Sequence, residues 1–359
     1  MSVFNYGNVW MPAPREHSTL TFCNRRSYLI GGLNFECNTE IAQLRLNDNS
    51  HQWSKIDYHT HDRIIGRCRH SALPFGDKII IYGGCYMFNM KRQIRECTNQ
   101  VLCYNTVENE LNIVKTKGLT VLQRKDHCAA IFGASMLVFG GMYENGNISP
   151  EMLNLDLHTF EWTRMSFKGM QQEPFFQAQC CAVTVNQKKS ASMINALTGS
   201  PEQQLTRMSD MVMEGIYYFG GKNAKGELVT KLKYLKPVLV DGKVVNAEWT
   251  KIKQQGIAPC GRTGHTMSFL PVNNCLIVVG GRNDMECQNK NIPFLNDMHL
   301  FLLDQKSWLR VQYIPDSPHL CMVGNHSSCV MTDNETFEKV IIFGGISNFA
   351  KQDTSALTN

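Results

Sequence analysis

The sequence lacks the long apolar run that a membrane-spanning helix requires. No stretch of its 359 residues approaches the roughly 18 to 20 consecutive apolar residues of such a helix. The first segment, MSVFNYGNVWMPAPREHS, also lacks the basic flank and apolar core of a secretion signal. These two absences predict an intracellular, cytoplasmic protein that does not insert into a membrane.

The common catalytic and metal-binding motifs are absent as well. The sequence has no HExxH, GxSxG, Walker-type loop or EF-hand loop, and no two of its 14 cysteines have CxxC spacing. Many cysteines lie in apolar segments, where a reduced thiol behaves as a small hydrophobic side chain. We therefore expect no catalytic residues, no cofactor and no metal site. Four such cysteines are Cys128, Cys180, Cys181 and Cys329.

The sequence also lacks a large excess of charge of either sign. The chain has 36 basic and 31 acidic residues, which gives a formal net charge of +5. This excess is too small and too scattered to predict electrostatic binding to nucleic acid. The hydrophobic fraction of 43% is ample for a large core. The composition therefore predicts a globular protein whose partners are not nucleic acids.

What the sequence does contain is a repeated glycine doublet. Six short apolar runs each end in Gly-Gly, at intervals of 52 to 80 residues. The runs are rich in β-branched and aromatic residues, which predicts buried strands that stop at glycine. The doublets end at Gly32, Gly84, Gly141, Gly221, Gly281 and Gly345.

Two further features recur around the doublets. A histidine unit upstream leads into another apolar run, and an alternating segment downstream usually reaches a tryptophan. Together they predict four antiparallel strands per repeat, which we call a to d. Because the histidines recur at one place, they are predicted to be structural rather than metal ligands. They are His17, His70, His127, His265 and His326, and the tryptophans are Trp53, Trp162, Trp249 and Trp308.

This combination of doublets and tryptophans resembles the Kelch-repeat family over nearly the whole chain. The resemblance implies an all-β fold, with residues 1–359 forming one six-bladed β-propeller of four antiparallel strands per blade. No tryptophan follows the last doublet, whereas Trp10 precedes the first repeat. We therefore expect an N-terminal strand around Trp10 to close the ring. Because the repeats occupy nearly the whole sequence, we expect no BTB domain of the kind that many Kelch proteins carry.

Arginines precede strand a in most repeats. Connections from d to a and from b to c share one face of the ring, so these arginines are predicted to surround one mouth of the channel. Arginine binds carboxylates through two hydrogen bonds, and the resemblance implies capture of acidic peptides at this face. The alternative is that the arginines pair with acids or carbonyls inside the fold. The predicted binding residues are Arg15, Arg67, Arg69, Arg124 and Arg262, with Lys91, Arg92 and Arg95 from the loop after Gly84.

Two insertions distinguish the fourth repeat. Residues 186–214 lengthen its a-to-b turn, and residues 238–245 extend its c-to-d turn into a hairpin. The first insertion has apolar residues at helical spacing, which indicates an arm for protein docking, with disorder as the alternative. The apolar residues assigned to docking are Met193, Leu197, Leu205 and Met208.

These features favour a non-catalytic scaffold or adaptor subunit of an intracellular complex. The resemblance implies complexes such as cytoskeletal or ciliary assemblies. Two alternatives stay open: a ubiquitin-ligase substrate receptor that recognises an acidic peptide, and an enzyme with a metal- or sugar-dependent site in the channel.

Overall fold

The computed structural model describes residues 10–47, 50–169, 173–184, 213–312, 322–333 and 336–347. Within these ranges the chain forms 29 strands and one short helix, so the predicted all-β fold is confirmed. The predicted docking residues Met193, Leu197, Leu205 and Met208 lie outside the described residues.

The first two blades are four-stranded antiparallel sheets. Strands a to d of blade 1 are β1 (Thr19–Cys23), β2 (Arg26–Ile30), β3 (Ile41–Asn47) and β4 (Ser50–Ile56). Those of blade 2 are β5 (Ser71–Phe75), β6 (Lys78–Tyr82), β9 (Val101–Asn105) and β10 (Glu110–Val114). The b-to-c loop of blade 2 forms its own hairpin, β7 (Cys85–Asn89) and β8 (Ile94–Cys97).

Blades 3 to 5 add a fifth strand at the outer edge. Each added strand precedes strand a and pairs in parallel with strand d of its sheet. Blade 3 contains β11 (Lys117–Gly118), β13 (Cys128–Phe132), β14 (Ser135–Phe139), β16 (Met152–Asp156) and β17 (Glu161–Arg164). Strands β12 (Arg124–Lys125) and β15 (Met142–Tyr143) pair with each other as a separate two-stranded sheet. Blade 4 contains β18 (Phe167–Lys168), β19 (Phe175–Val183), β20 (Gly215–Asn223), β21 (Lys233–Val240) and β22 (Lys243–Thr250). Blade 5 contains β23 (Gln255–Gly256), β24 (Thr266–Leu270), β25 (Cys275–Val279), β26 (Met298–Leu302) and β27 (Ser307–Arg310), with helix α1 (Asp284–Asn289) in its b-to-c loop.

The described residues form five complete blades, so the predicted count of six four-stranded blades is wrong. In the described residues the sixth doublet follows a two-stranded sheet, β28 (Ser327–Thr332) and β29 (Glu338–Phe343). Strand β28 lies between β24 of blade 5 and β1 of blade 1. In the part of the chain that the structure describes, this two-stranded hairpin occupies the position between the last and first blades.

The predicted closing strand around Trp10 is not found in the described part of the chain. Trp10 lies in no strand and is 41% exposed, and residues before it lie outside the described ranges. Trp10 therefore does not serve as the buried strand-d tryptophan that the sequence suggested.

Backbone hydrogen bonds join neighbouring repeats around the whole ring. The second glycine of each doublet donates its N–H to the carbonyl oxygen of the residue that begins the next repeat. Six such bonds of 2.8–2.9 Å run in one circle, and the last returns from Gly345 to Arg15. The carbonyl oxygens belong to Arg67, Arg124, Phe175, Arg262, Val323 and Arg15.

The core lies between blades and includes the strand-d tryptophans. Each tryptophan stands opposite an apolar residue of strand c, and both members are buried. Blade 2 preserves this arrangement with Leu111 opposite Tyr104. In the other blades the pairs are Leu44–Trp53, Leu155–Trp162, Leu235–Trp249 and Phe301–Trp308.

The extended hairpin of blade 4 packs against blade 3. Strands β21 and β22 are joined by Asp241 and Gly242, which both have positive φ, as a tight two-residue turn requires. The carbonyl oxygen of Gly242 accepts from the N–H of Ala134 at 3.0 Å. The N–H of Val244 donates to the buried Ser135 Oγ at 2.9 Å. These contacts fix the hairpin on its neighbour.

Candidate functional site

Four of the predicted binding arginines are buried inside the fold. They occupy equivalent positions at the start of their repeats, and their exposed fractions are 0–3%. Each donates a hydrogen bond to the carbonyl oxygen of the first glycine of its own doublet. These bonds are Arg15–Gly31 (3.3 Å), Arg67–Gly83 (3.4 Å), Arg124–Gly140 (3.3 Å) and Arg262–Gly280 (3.0 Å).

The same four guanidinium groups also bind a side chain that immediately precedes strand c. Three of these acceptors are carboxylates and one is an amide. They are Glu40 (2.7 Å from Arg15), Gln100 (2.9 Å from Arg67), Glu151 (3.2 Å from Arg124) and Asp297 (3.0 Å from Arg262). Because these arginines are buried and hold internal partners, they fit the alternative that the sequence left open, in which arginines pair with acids or carbonyls inside the fold. The sequence signal for this role was an acid or amide directly before strand c in each of these four repeats.

The Arg262–Asp297 pair shows how an internal partner holds one of these arginines inside the fold. Burial raises the pKa of the Asp297 carboxyl, but hydrogen bonds from His299 and Arg262 outweigh burial and lower it. A carboxylate held in this way attracts its arginine strongly. In blade 4 the arginine is replaced by Phe175, whose ring stacks on Tyr218 with centroids 4.6 Å apart.

A ring of six residues with positive φ surrounds the mouth of the channel. In five of the six steps, the N–H of one residue donates to the carbonyl oxygen of the residue in the preceding repeat, at 2.8–3.2 Å. The ring contains Arg69 but none of the four buried arginines. Its members are His17, Arg69, Asp126, Gln177, Gly264 and Asn325.

His17 belongs to this ring and not with the other recurring histidines. His70, His127, His265 and His326 lie one position later, on the channel wall. Ser18 occupies their position in the first repeat, and its hydroxyl lies 3.2 Å from that of Ser327. The histidine of the first repeat is therefore displaced by one residue relative to the other four, which the sequence pattern did not reveal.

The wall histidines bond across neighbouring blades. Three of them place Nε2 3.0 Å from a hydroxyl oxygen of the preceding repeat. Burial lowers the pKa of His70, His127 and His265 to about 3 and that of His326 to about 4, so all four are neutral at physiological pH. The described residues include no group of three or more His, Cys, Asp or Glu that could hold a metal ion. The three bonded pairs are His70–Thr19, His127–Ser71 and His326–Thr266.

The remaining predicted cations are less deeply buried than the four buried arginines. Arg69 donates to both carboxylate oxygens of Asp126, at 3.1 and 2.9 Å. Arg92 lies on the β7–β8 hairpin and is held by Glu96 at 3.1 Å and Glu144 at 3.0 Å. Lys91 is exposed beside it.

Arg95 differs from these neighbours. One of its terminal nitrogens, Nη1, is shielded from solvent and has no hydrogen-bond partner among the described residues. Its charge acts on His17 and Cys37, and therefore it lies near the mouth ring. Burial is the largest cause that lowers the pKa of His17, to about 3, and the charges of Arg69 and Arg95 lower it further.

The mouth opens into a channel of about 270 Å³. The inner strands supply mostly small and polar wall residues, including Thr19, Ser71, Gln179 and Thr266. In the described ranges, no helix is both long and apolar enough to span a membrane.

Comparison with known proteins agrees with this architecture. Residues 16–191 and 200–358 match the family model described as the KLHDC2/KLHL20/DRC7 Kelch-repeats domain. Host cell factor of Drosophila melanogaster is 25% identical over 330 residues, which cover 88% of this chain and 18% of that protein. Acyl-CoA-binding domain-containing protein 4 of Arabidopsis thaliana is 24% identical over 258 residues, which cover 72% of this chain and 32% of that protein. The chain thus spans less than a third of the length of these curated relatives.

Proposed function

Because the chain belongs to the Kelch-repeat family, we propose that it is a non-catalytic adaptor within an intracellular complex and that its mouth binds an acidic segment of a partner protein. Kelch propellers are protein-interaction domains, which supports the general role. The finer proposal concerns the surface formed by Arg69, Lys91, Arg92 and Arg95, which we call the basic rim.

The observation that carries this proposal is the unpartnered Nη1 of Arg95. A buried polar atom without a partner costs free energy, and native proteins rarely leave one unsatisfied. A carboxylate from a bound peptide would supply the missing acceptor and could engage the guanidinium group through two hydrogen bonds. The four buried arginines take no part.

The rim also has apolar neighbours. Met87, Phe88 and Met90 are exposed on the same β7–β8 hairpin, and Phe35 is exposed in the b-to-c loop of blade 1. Methionine adapts its shape to different partners, and aromatic side chains supply contact area. The basic rim therefore suits a peptide in which acidic residues alternate with apolar ones.

The proposal can be tested with a fluorescein-labelled peptide of alternating glutamate and leucine, and a matched peptide with glutamine in place of glutamate. We expect the acidic peptide to raise fluorescence anisotropy on binding, with an affinity that falls as salt increases. Arg95→Gln should weaken binding roughly 10- to 100-fold, the range for losing one charge-assisted hydrogen bond.

Arg25→Gln is the matched control, because Arg25 is an exposed arginine in the a-to-b turn at the opposite face. It should leave the affinity unchanged. Equal binding of the glutamine peptide, or an equal effect of both substitutions, would contradict an acidic-peptide site at the basic rim.

A further inference from the structure

Four cysteines converge where the b-to-c loop of blade 1 meets the start of blade 2. The Sγ atoms of Cys37 and Cys68 are 3.7 Å apart, and those of Cys68 and Cys85 are also 3.7 Å apart. Cys97 completes the cluster, since it stands opposite Cys85 in the β7–β8 hairpin. We call these four residues the thiol cluster.

We propose that Cys37 and Cys68 form a reversible disulfide when the protein meets hydrogen peroxide, and that Cys37 is the thiol that reacts with the oxidant. The proposal does not depend on the proposed peptide site. It concerns a modification of the thiol cluster and needs no partner protein.

Accessibility selects Cys37 as the point of attack. Its side chain is partly exposed, whereas Cys68, Cys85 and Cys97 have exposed fractions of 0–3%. A small oxidant from solvent therefore reaches Cys37 first. Cys68 lies next to it, sealed from solvent, and is the nearest thiol that can complete a disulfide.

The charges around the two thiols also favour reaction at Cys37 before Cys68. A hydrogen bond from Cys68 is the largest cause that lowers the pKa of Cys37, and the charges of Arg95 and Arg69 lower it further, against the effect of burial. The pKa of Cys68 is raised to about 12, so Cys68 keeps its proton. The thiolate form reacts with peroxides, and an electropositive, partly exposed site promotes it.

The chemistry requires only these two residues and the peroxide. The Cys37 thiolate attacks one peroxide oxygen, the O–O bond breaks, and a sulfenic acid and hydroxide form. The Cys68 sulfur then attacks the Cys37 sulfur, and the S–O bond breaks. The proton of Cys68 leaves with the hydroxyl group as water. Both sulfurs are oxidised, the peroxide is reduced, and an added dithiol reverses the change.

The backbone already holds the two segments together. The N–H of Arg67 donates to the carbonyl oxygen of Asn38 at 3.3 Å. Gly66 packs so closely against Cys37 that a Cβ atom there would clash with its carbonyl oxygen. The sulfurs must move from 3.7 Å to about 2.05 Å to bond, and side-chain rotation can provide much of that change.

The test uses the reduced full chain treated with hydrogen peroxide, followed by alkylation of free thiols and peptide mapping without reduction. We expect a Cys37–Cys68 linked peptide that is two hydrogens lighter than the separate peptides and disappears on treatment with dithiothreitol. Cys37→Ser should abolish it. Cys68→Ser should instead leave Cys37 as a sulfenic acid that dimedone traps.

Cys103→Ser is the matched control, because Cys103 is also partly exposed in blade 2 but lies outside the thiol cluster. It should form the linked peptide as the unaltered chain does, and Arg95→Gln should form it more slowly. The proposal is overturned if Cys37 of the unaltered chain goes on to sulfinic acid without a crosslink, or if Cys103 oxidises as fast as Cys37. Thermal unfolding of the reduced variants shows that each is folded.

Discussion

The N–H of Gly345 donates a hydrogen bond to the carbonyl oxygen of Arg15 at 2.8 Å, which joins the last glycine doublet to the first repeat. The same bond occurs at each of the other five junctions. The β28–β29 hairpin can therefore connect blade 5 to blade 1 although it has only two strands. Closure in the described residues depends on this backbone circle and not on Trp10.

Gly345→Ala should weaken the closure. Gly345 has φ +86°, and a Cβ atom there would lie 2.7 Å from the carbonyl oxygen of Gly324. Gly146→Ala is a matched control, because Gly146 has the same φ but no atom within 4 Å of its added Cβ. We expect about 1–2 kcal/mol of destabilisation at Gly146 from left-handed backbone strain alone, and more at Gly345. Urea denaturation measures both, and equal losses would contradict a role for close packing at Gly345.

Arg262→Ala should lower the free energy of unfolding far more than loss of a surface arginine does. It leaves the mostly buried Asp297 without its ion partner, which typically costs about 3–5 kcal/mol. Arg282→Ala in the same blade removes an exposed pair with Asp284 and should cost about 0–1 kcal/mol. If chemical denaturation gives similar losses for both variants, the buried arginines do not stabilise the fold through their internal ion pairs.

Stability should fall as the pH drops below about 6.5. The folded protein keeps His70, His127 and His265 neutral down to a pH of about 3, whereas unfolded histidine binds a proton near pH 6.5. The unfolded state therefore binds more protons in this window, and acid favours it. Each proton taken up lowers the free energy of unfolding by roughly 1.4 kcal/mol per pH unit.

The effect of the histidines can be separated from that of the carboxylates by measuring between about pH 5 and 6.5, above the usual pKa range of Asp and Glu. His127→Gln retains a group that can bond the Ser71 hydroxyl but removes one titrating site. The variant should have a shallower decline in the free energy of unfolding. An unchanged slope would show that His127 does not contribute to acid sensitivity.

Ser135→Ala should loosen the blade-4 hairpin where it packs on blade 3. The substitution removes the acceptor of the buried Val244 N–H, which typically costs about 1–3 kcal/mol. Hydrogen exchange at residues 243–250 should accelerate. Ser268→Ala is the control, because the hydroxyl of Ser268 lies against another side-chain hydroxyl, that of Ser328. Unchanged exchange in Ser135→Ala would contradict the anchoring role of this bond.

The glycine doublets and tryptophans were sufficient to predict the family and the all-β propeller, because both arise from local patterns that repeat. Strand pairs such as Leu155–Trp162 follow directly from alternation along the chain. The number of complete blades could not be predicted in the same way. A doublet shows that strand b ends, but it does not show that strands c and d follow it and pair.

The residues of the candidate site were harder to predict. Arg67 and Arg69 are only two residues apart, and nothing in the sequence distinguishes their roles. The sequence by itself determined the repeated strands and placed arginine at the start of most repeats. Only the tertiary structure decided that Arg67 turns inward to Gly83 and Gln100, whereas Arg69 meets Asp126 at the mouth. The physical reason is that a guanidinium group takes its role from acceptors in distant parts of the chain, which folding alone brings within hydrogen-bond distance.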